Sequence, residues 1–237
     1  MNNAVNNIKL AVNIQHSPKR NRLLQHLLFS LDGFKPTNII EDTVSCWSGC
    51  QKCLTTYPVG TTHILVMQDD VIACPDFIKT VKKIISILPD KPITFFCRDE
   101  IILAAKQRKQ NFALLKVWFM AQAYVMPVAM AQDLVAWGNK HINPARTIDD
   151  ENMAMYFLHH GIKVYATAPS LVDHLGWQST TITDRDGDRY FDVNRRVARW
   201  FIGYDESGLK IKWDENLDDL PVANFGDWSM FCENYVE

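Results

Sequence analysis

The stretch His63-Ile64-Leu65-Val66-Met67-Gln68-Asp69-Asp70-Val71-Ile72-Ala73-Cys74-Pro75-Asp76-Phe77 decides how the chain is read. His63 to Met67 is mostly apolar and holds two β-branched residues, the pattern of a strand buried on both faces in a parallel sheet. The run stops at two adjacent carboxylates, Asp69 and Asp70. After a short link, Pro75 opens a helix, where its missing N–H would go unpaired in any case. Phe77, Ile78, Val81, Ile84, Ile85 and Leu88 recur at three- and four-residue steps, which predicts a helix over residues 75–88. Strand, acidic tip and helix follow in that order, and open α/β sheets carry their ligand sites at this carboxyl edge.

Two carboxylates at a strand end have two readings. They are a solvated turn with an N-cap, since Asp serves in both roles. Or they are a hard-metal site that also holds a diphosphate, because Mg²⁺ and Mn²⁺ take oxygen ligands and share them with substrate phosphates. Position alone does not choose between them.

With 237 residues, the chain has the length of one large domain, or of a domain with a long tail, and buries a sizeable core. Net charge is −2, so no global field draws nucleic acid or anionic membrane. The N-terminus lacks a signal-peptide pattern and no apolar run reaches membrane-spanning length, which gives the expectation of a soluble, cytoplasmic protein without a membrane partner. The six cysteines are Cys46, Cys50, Cys53, Cys74, Cys97 and Cys232, expected as reduced thiols. Cys46, Cys50 and Cys53 share one helical face with Leu54 and Tyr57. Core packing is the expectation there rather than zinc, because no Cys-x-x-Cys pair or His-x-x-x-His follows.

Upstream, Ile8 to Ile14 reads as a first strand and Leu23, Leu24, Leu27, Leu28 and Leu31 as the stripe of a helix. Lys19 and Arg20 sit where the helix dipole disfavours cations. Such a conflict with local preference is a pointer to function, and basic groups there suit a diphosphate. Asn38 to Ile40 is a short second strand, and Thr43 is the expected cap of a helix reaching Tyr57. Three strands separated by two helices make a Rossmann-like α/β beginning, without the Gly-x-Gly fingerprint of a dinucleotide site.

Downstream, Ile93 to Cys97 reads as a fourth strand, the basic run Lys106 to Lys109 as a solvated face or a loop beside an acceptor, and Val117 to Met126 as a buried strand or hairpin. A helix follows over 128–137 with Gly138 and Asn139 as its stop. Thr147 is the expected N-cap of a helix whose first turn holds Asp149, Asp150 and Glu151, acids that favour a helix N-terminus by about 0.3–1 kcal/mol each. Lys163 to Thr167 is a further strand and leads into Pro169-Ser170-Leu171-Val172-Asp173-His174. The tail from Trp177 interleaves arginines with Asp184, Asp186, Asp188 and Asp192 and ends acidic and Trp-rich.

Gln68-Asp69-Asp70 with Ala73-Cys74-Pro75-Asp76-Phe77 resembles the metal motif of GT-A glycosyltransferases, particularly the form in N-acetylglucosaminyltransferase I-type enzymes. Element order over residues 8–176 is similar to that family. The resemblance implies a mixed, mostly parallel Rossmann-like sheet flanked by helices, with residues 1–176 as nucleotide-sugar-binding core and 177–237 as a C-terminal lid or tail. It implies Asp70 as ligand to Mn²⁺ (or Mg²⁺), with Asp69 and Gln68 near the nucleotide. Gln68 departs from the acid the family often carries there. It also implies His16, Ser17 and Arg20 at the donor, Asp149 or Asp150 as catalytic base of an inverting transfer, and His174 as the histidine that completes the metal or meets the diphosphate.

The donor class so implied is a nucleotide-sugar, foremost a UDP-sugar. The segment around His174 also looks like that of bacteriophage glycosyltransferases, which adds a hydroxymethylated DNA base to polysaccharide and protein among the acceptors. Two other classes fit the same acid pair: a metal-dependent phosphohydrolase or nucleotidyltransferase, and a non-catalytic nucleotide- or carbohydrate-binding domain.

Overall fold

The computed structural model describes residues 7–41, 44–118, 120–146, 148–175, 178–183, 189–191 and 197–223. Thr43, Thr147, Cys232 and, in the charged run of the tail, residues 184–188 and 192–196 lie outside them. The first half alternates as the sequence leads one to expect. β1 (Leu10–His16) leads through α1 (Asn21–Ser30) to β2 (Asn38–Glu41), then through α2 (Cys46–Thr55) to β3 (His63–Gln68). β1 lies between β2 and β3, parallel to both. Val12, Ile14 and the whole run Ile64 to Met67 are buried, as strands covered by helices on both faces require.

α3 spans Phe77–Ile87, and the remaining strands are β4 (Val71–Ala73), β5 (Ile93–Thr94), β6 (Phe112–Leu115), β7 (Ala123–Pro127), β8 (Val164–Thr167), β9 (Val172–His174), β10 (Gln178–Thr183), β11 (Arg189–Phe191) and β12 (Val222–Ala223). The helices among them are α4 (Ile101–Gln107), α5 (Val128–His141) and α6 (Asp149–His159). The main sheet has the order β12-β6-β8-β5-β7-β3-β1-β2. β7 runs antiparallel between β3 and β5, and β6 antiparallel to β8. The result is an α/β, Rossmann-like architecture: a mixed, mostly parallel central sheet flanked by helices. β10 and β11 pair with each other, and β4 pairs with β9. Among the described residues no helix is long and apolar enough to cross a membrane.

Several boundaries differ from expectation, each for a physical reason. Pro75 stands outside α3, because Asp76 takes a left-handed conformation (φ 55°) at the helix entry and the helix begins at Phe77. α2 is capped by the Ser45 side chain, which accepts the Ser48 N–H at 3.1 Å, and it ends at Thr55 rather than Tyr57. Cys50 and Cys53 on it are fully buried, the core role expected of them. The basic run Lys106 to Lys109 is exposed, as a solvated face requires, and it begins at the end of α4: Lys106 lies 4.5 Å over the Trp200 ring, and Arg108 Nη1 donates to the Asp219 carbonyl at 3.4 Å. Only Ile93 and Thr94 of the fourth strand pair in the sheet. α5 continues through Gly138 to His141, since there the missing side chain admits the Trp47 ring.

Candidate functional site

β1 and β3 pair with Gln15 opposite Gln68, so the residues after each strand leave the sheet side by side. Asp69 N–H extends the ladder by donating to the Gln15 carbonyl at 3.1 Å. His16 thereby meets Asp69, its Nδ1 2.7 Å from Asp69 Oδ2. The same oxygen accepts the Ser17 backbone N–H at 2.7 Å. His16 Nε2 lies 3.0 Å from Asn21 Oδ1, so the ring bridges the start of α1 to the acidic tip. A short 3₁₀ turn, Pro18–Arg20, then brings Arg20 back over both acids. Its Nη1 lies 3.3 Å from Asp69 Oδ1 and also pairs with Asp70 Oδ2.

The second half of the chain reaches Asp70 from the other side. β4 and β9 form an antiparallel clasp with Val71 opposite His174. Leu175 N–H donates to the Asp70 carbonyl at 2.6 Å and closes it. His174 Nε2 stands 3.3 Å from Asp70 Oδ2, with the Phe96 ring 6.2 Å from its own by centroid. Asp173 ties residue 198 to the clasp, its Oδ1 accepting the Ala198 N–H at 2.8 Å. Sequence reading named His174 as a candidate but not the clasp that brings it to Asp70.

Both carboxylates are buried, Asp69 1% and Asp70 4% exposed, yet they are held differently. Burial pushes Asp69 above the ordinary aspartate range; Arg20, Ser17 and His16 oppose this while the neighbouring Asp70 charge adds to it. Burial acts the same way on Asp70, but the His174 hydrogen bond and charge, with Arg20, outweigh it and leave Asp70 below that range. Asp70 Oδ1 and His174 Nδ1 are buried without a hydrogen-bond partner among the described residues.

That donor set bears on a metal. Among the described residues no group of three His, Cys, Asp or Glu side chains closes around one point. Asp70 and His174 together offer two ligands, one of them a carboxylate oxygen without a hydrogen bond among the described residues. A closed structural site is therefore a poor fit, and a hard divalent cation that takes the rest of its shell from substrate phosphates and water is a good one.

Asp149 and Asp150 begin α6. Asp149 Oδ1 accepts the Asp150 N–H and Asp150 Oδ1 the Glu151 N–H, each at 3.0 Å. Asp149 is buried beside the pair Cys50 Sγ and Tyr124 Oη, themselves 3.3 Å apart; after burial, its charge is the next largest influence raising the Cys50 thiol. Asp150 is the half-buried one of the two. Gln68 is likewise half-buried and donates its backbone N–H to the Gln122 carbonyl at 2.8 Å.

Gln122 is a candidate that sequence reading missed. It is buried, its Oε1 lacks a hydrogen-bond partner among the described residues, and it stands beside the acidic tip. The signal was its place as the polar interruption of the apolar run Val117 to Met126.

No family model and no curated protein matches the chain. Among solved structures it is similar to a protein from STIV, at 13% identity with a TM-score of 0.46 over 79% of this chain and 96% of that one. It is also similar to a Drosophila β1,4-galactosyltransferase 7 complexed with manganese, UDP-Gal and xylobiose, at 10% identity and TM-score 0.44 over 79% and 82% of the two chains. A third is 4-diphosphocytidyl-2C-methyl-D-erythritol synthase from Anaerococcus prevotii, at 10% identity and TM-score 0.44 over 78% and 95%. The fold described above rests on this chain's own sheet order and strand directions.

Proposed function

We propose that the protein is a metal-dependent glycosyltransferase of the GT-A kind, moving a sugar from a nucleotide-sugar to an acceptor hydroxyl with inversion. The observation that carries this reading is the convergence at one sheet edge of Arg20, Asp69, Asp70 and His174, with a buried carboxylate oxygen left over on Asp70. Cationic groups and an uncommitted carboxylate oxygen are what a diphosphate with its counter-cation calls for. Asp70 and His174 would hold Mn²⁺ or Mg²⁺, which supplies charge neutralisation for the departing nucleoside diphosphate.

The protein's own groups do the rest. Arg20 pairs with phosphate oxygens, and Asp69 keeps His16 and the Ser17 amide in register with the donor. Gln68 and Gln122 flank the tip. Asp150, more open than Asp149, takes the proton from the acceptor hydroxyl as its oxygen attacks the anomeric carbon. The bond from that carbon to the diphosphate oxygen breaks, and the electron pair leaves with the phosphate. In this reading residues 1–176 are the donor-binding core and 177–237 its extension, the donor is a UDP-sugar, and a hydroxymethylated DNA base stands beside glycans as acceptor.

Transfer from radiolabelled nucleotide-sugars to a panel of glycans and hydroxymethylated DNA tests this. Asp70→Ala should abolish transfer with the fold intact, and Asp150→Asn should lower kcat by about 10²–10⁴-fold while donor affinity holds. Full transfer by the Asp70 variant would sink the metal assignment. Near-normal kcat in both Asp149→Asn and Asp150→Asn would sink the base. Release of nucleotide without sugar transfer to any acceptor would favour a phosphohydrolase.

A further inference from the structure

Arg20 and His174 converge on one atom. Arg20 Nη1 pairs with Asp70 Oδ2, and His174 Nε2 lies 3.3 Å from that same oxygen. A cation bound at the Asp70 carboxylate, at Oδ2 beside His174 or at the leftover Oδ1, would stand close to the guanidinium. Arginine keeps its proton at any working pH, so the clash of charges is permanent for as long as Arg20 stays. Nor does Arg20 leave at no cost, since it also pairs with Asp69 Oδ1 at 3.3 Å and both carboxylates are buried. Two adjacent buried anions without a cation are strongly disfavoured.

Arg20 has room to move. Its side chain is 19% exposed and is carried by a short 3₁₀ turn, Pro18–Arg20, between β1 and α1. A diphosphate offers a guanidinium a bidentate, charge-assisted pair, a partner that can take the place of the carboxylates it would give up.

We propose that Arg20 is the resident cation of the acidic tip: it keeps a divalent ion from binding alone and yields its place when ion and nucleoside diphosphate arrive together, moving onto the phosphates. This rests on the donor-and-metal reading above. It makes ion and diphosphate binding mutually dependent, and by linkage each raises the affinity of the other by the same factor.

Mn²⁺ binding to the full chain, followed by the electron paramagnetic resonance of the free ion with and without UDP, tests it. Wild type should bind Mn²⁺ at least about tenfold more tightly in the presence of UDP. Arg20→Gln should take up Mn²⁺ alone at least about tenfold more tightly than wild type, with UDP adding less than about threefold. Arg20→Lys, which keeps the charge, should stay within about threefold of wild type for Mn²⁺ alone. Wild type binding Mn²⁺ equally well with and without UDP overturns the inference without any variant. So does Arg20→Gln binding Mn²⁺ alone no more tightly than wild type, or Arg20→Lys matching Arg20→Gln. If wild type and both variants, folded by circular dichroism, bind neither Mn²⁺ nor UDP, the donor-site reading itself falls and this inference with it.

Discussion

At the scale of single residues, Asp69 and Asp70 share a side chain and a buried position but differ in what meets them. Asp70 is held below the ordinary aspartate range and Asp69 above it. A lowered carboxyl contributes stability that is present above its unfolded pKa, about 4, and is lost as pH falls through its folded pKa. A raised carboxyl does the reverse: its contribution is complete below about pH 4 and is lost as pH rises through the folded value, so at neutral pH its charge is a cost. In metal-free buffer at pH 7, Asp70→Asn should therefore melt lower. Removing one partner of a buried pair costs about 3–5 kcal/mol, and with Arg20 still on Asp69 we expect about 2 kcal/mol, roughly 4–8 °C. Asp69→Asn should melt level with wild type or higher. The Asp70 deficit should vanish as pH falls below about 4, while any Asp69 gain shrinks across the acid range above it. Melting curves from pH 3 to 8 on both variants check this, and an Asp69 variant that melts far below wild type at pH 7 would refute the assignment.

Among the secondary-structure elements, Gly138 shows two local rules in conflict. Alanine in a helix interior is favoured over glycine by about 1 kcal/mol. A Cβ on Gly138, however, would stand 2.6 Å from Trp47 Cζ2, and Trp47 is itself buried against α5. Overpacking costs about 1–3 kcal/mol, so Gly138→Ala should lose about 1 kcal/mol net, read as a fall of roughly 2–4 °C in Tm. A rise in Tm would mean that Trp47 moves aside without strain. The glycine read from sequence as a helix stop is thus a packing residue, and no local pattern separates the two.

The misread elements share that cause. β4 is three residues long, and its partner β9 lies far along the chain, so neither could be seen from its neighbourhood. Val117 to Met126 reads as a buried strand or hairpin because it is strongly apolar, yet the strand there is Ala123–Pro127, and Trp118, outside it, packs on Tyr124 and Phe157 with centroids 5.0 and 5.6 Å away. By contrast β1, β3, α1 and the acidic tip were legible, since burial on both faces and helical spacing are written locally. The polar residues that follow those strands were legible with them as candidates. What the sequence withheld was the pairing of His16 with Asp69, of Arg20 with both acids, and the clasp that delivers His174.

At the scale of the whole molecule, the site is assembled by the fold rather than carried by one loop. Its groups come from the ends of β1 and β3 in the first half and from β9 in the second, and β7 reversed between β3 and β5 ties the halves into one sheet. Unfolding either half would scatter the site, so a ligand there stabilises the whole chain and not a local lid. At about a hundredfold excess over Kd, a ligand specific to the folded state adds about 2.7 kcal/mol. For a chain of this size that is roughly 5–10 °C in Tm. UDP with Mn²⁺ should therefore raise the melting temperature by that amount in one cooperative transition. UDP with chelator, or Mn²⁺ without UDP, should give a much smaller rise, and Asp70→Ala should give none with either. A full shift by UDP in chelator would remove the cation from the donor site while leaving the site in place. No shift by any nucleoside diphosphate would remove the donor, and then the buried Asp69–Asp70 pair would stand as a charge cluster held by Arg20, His16 and His174.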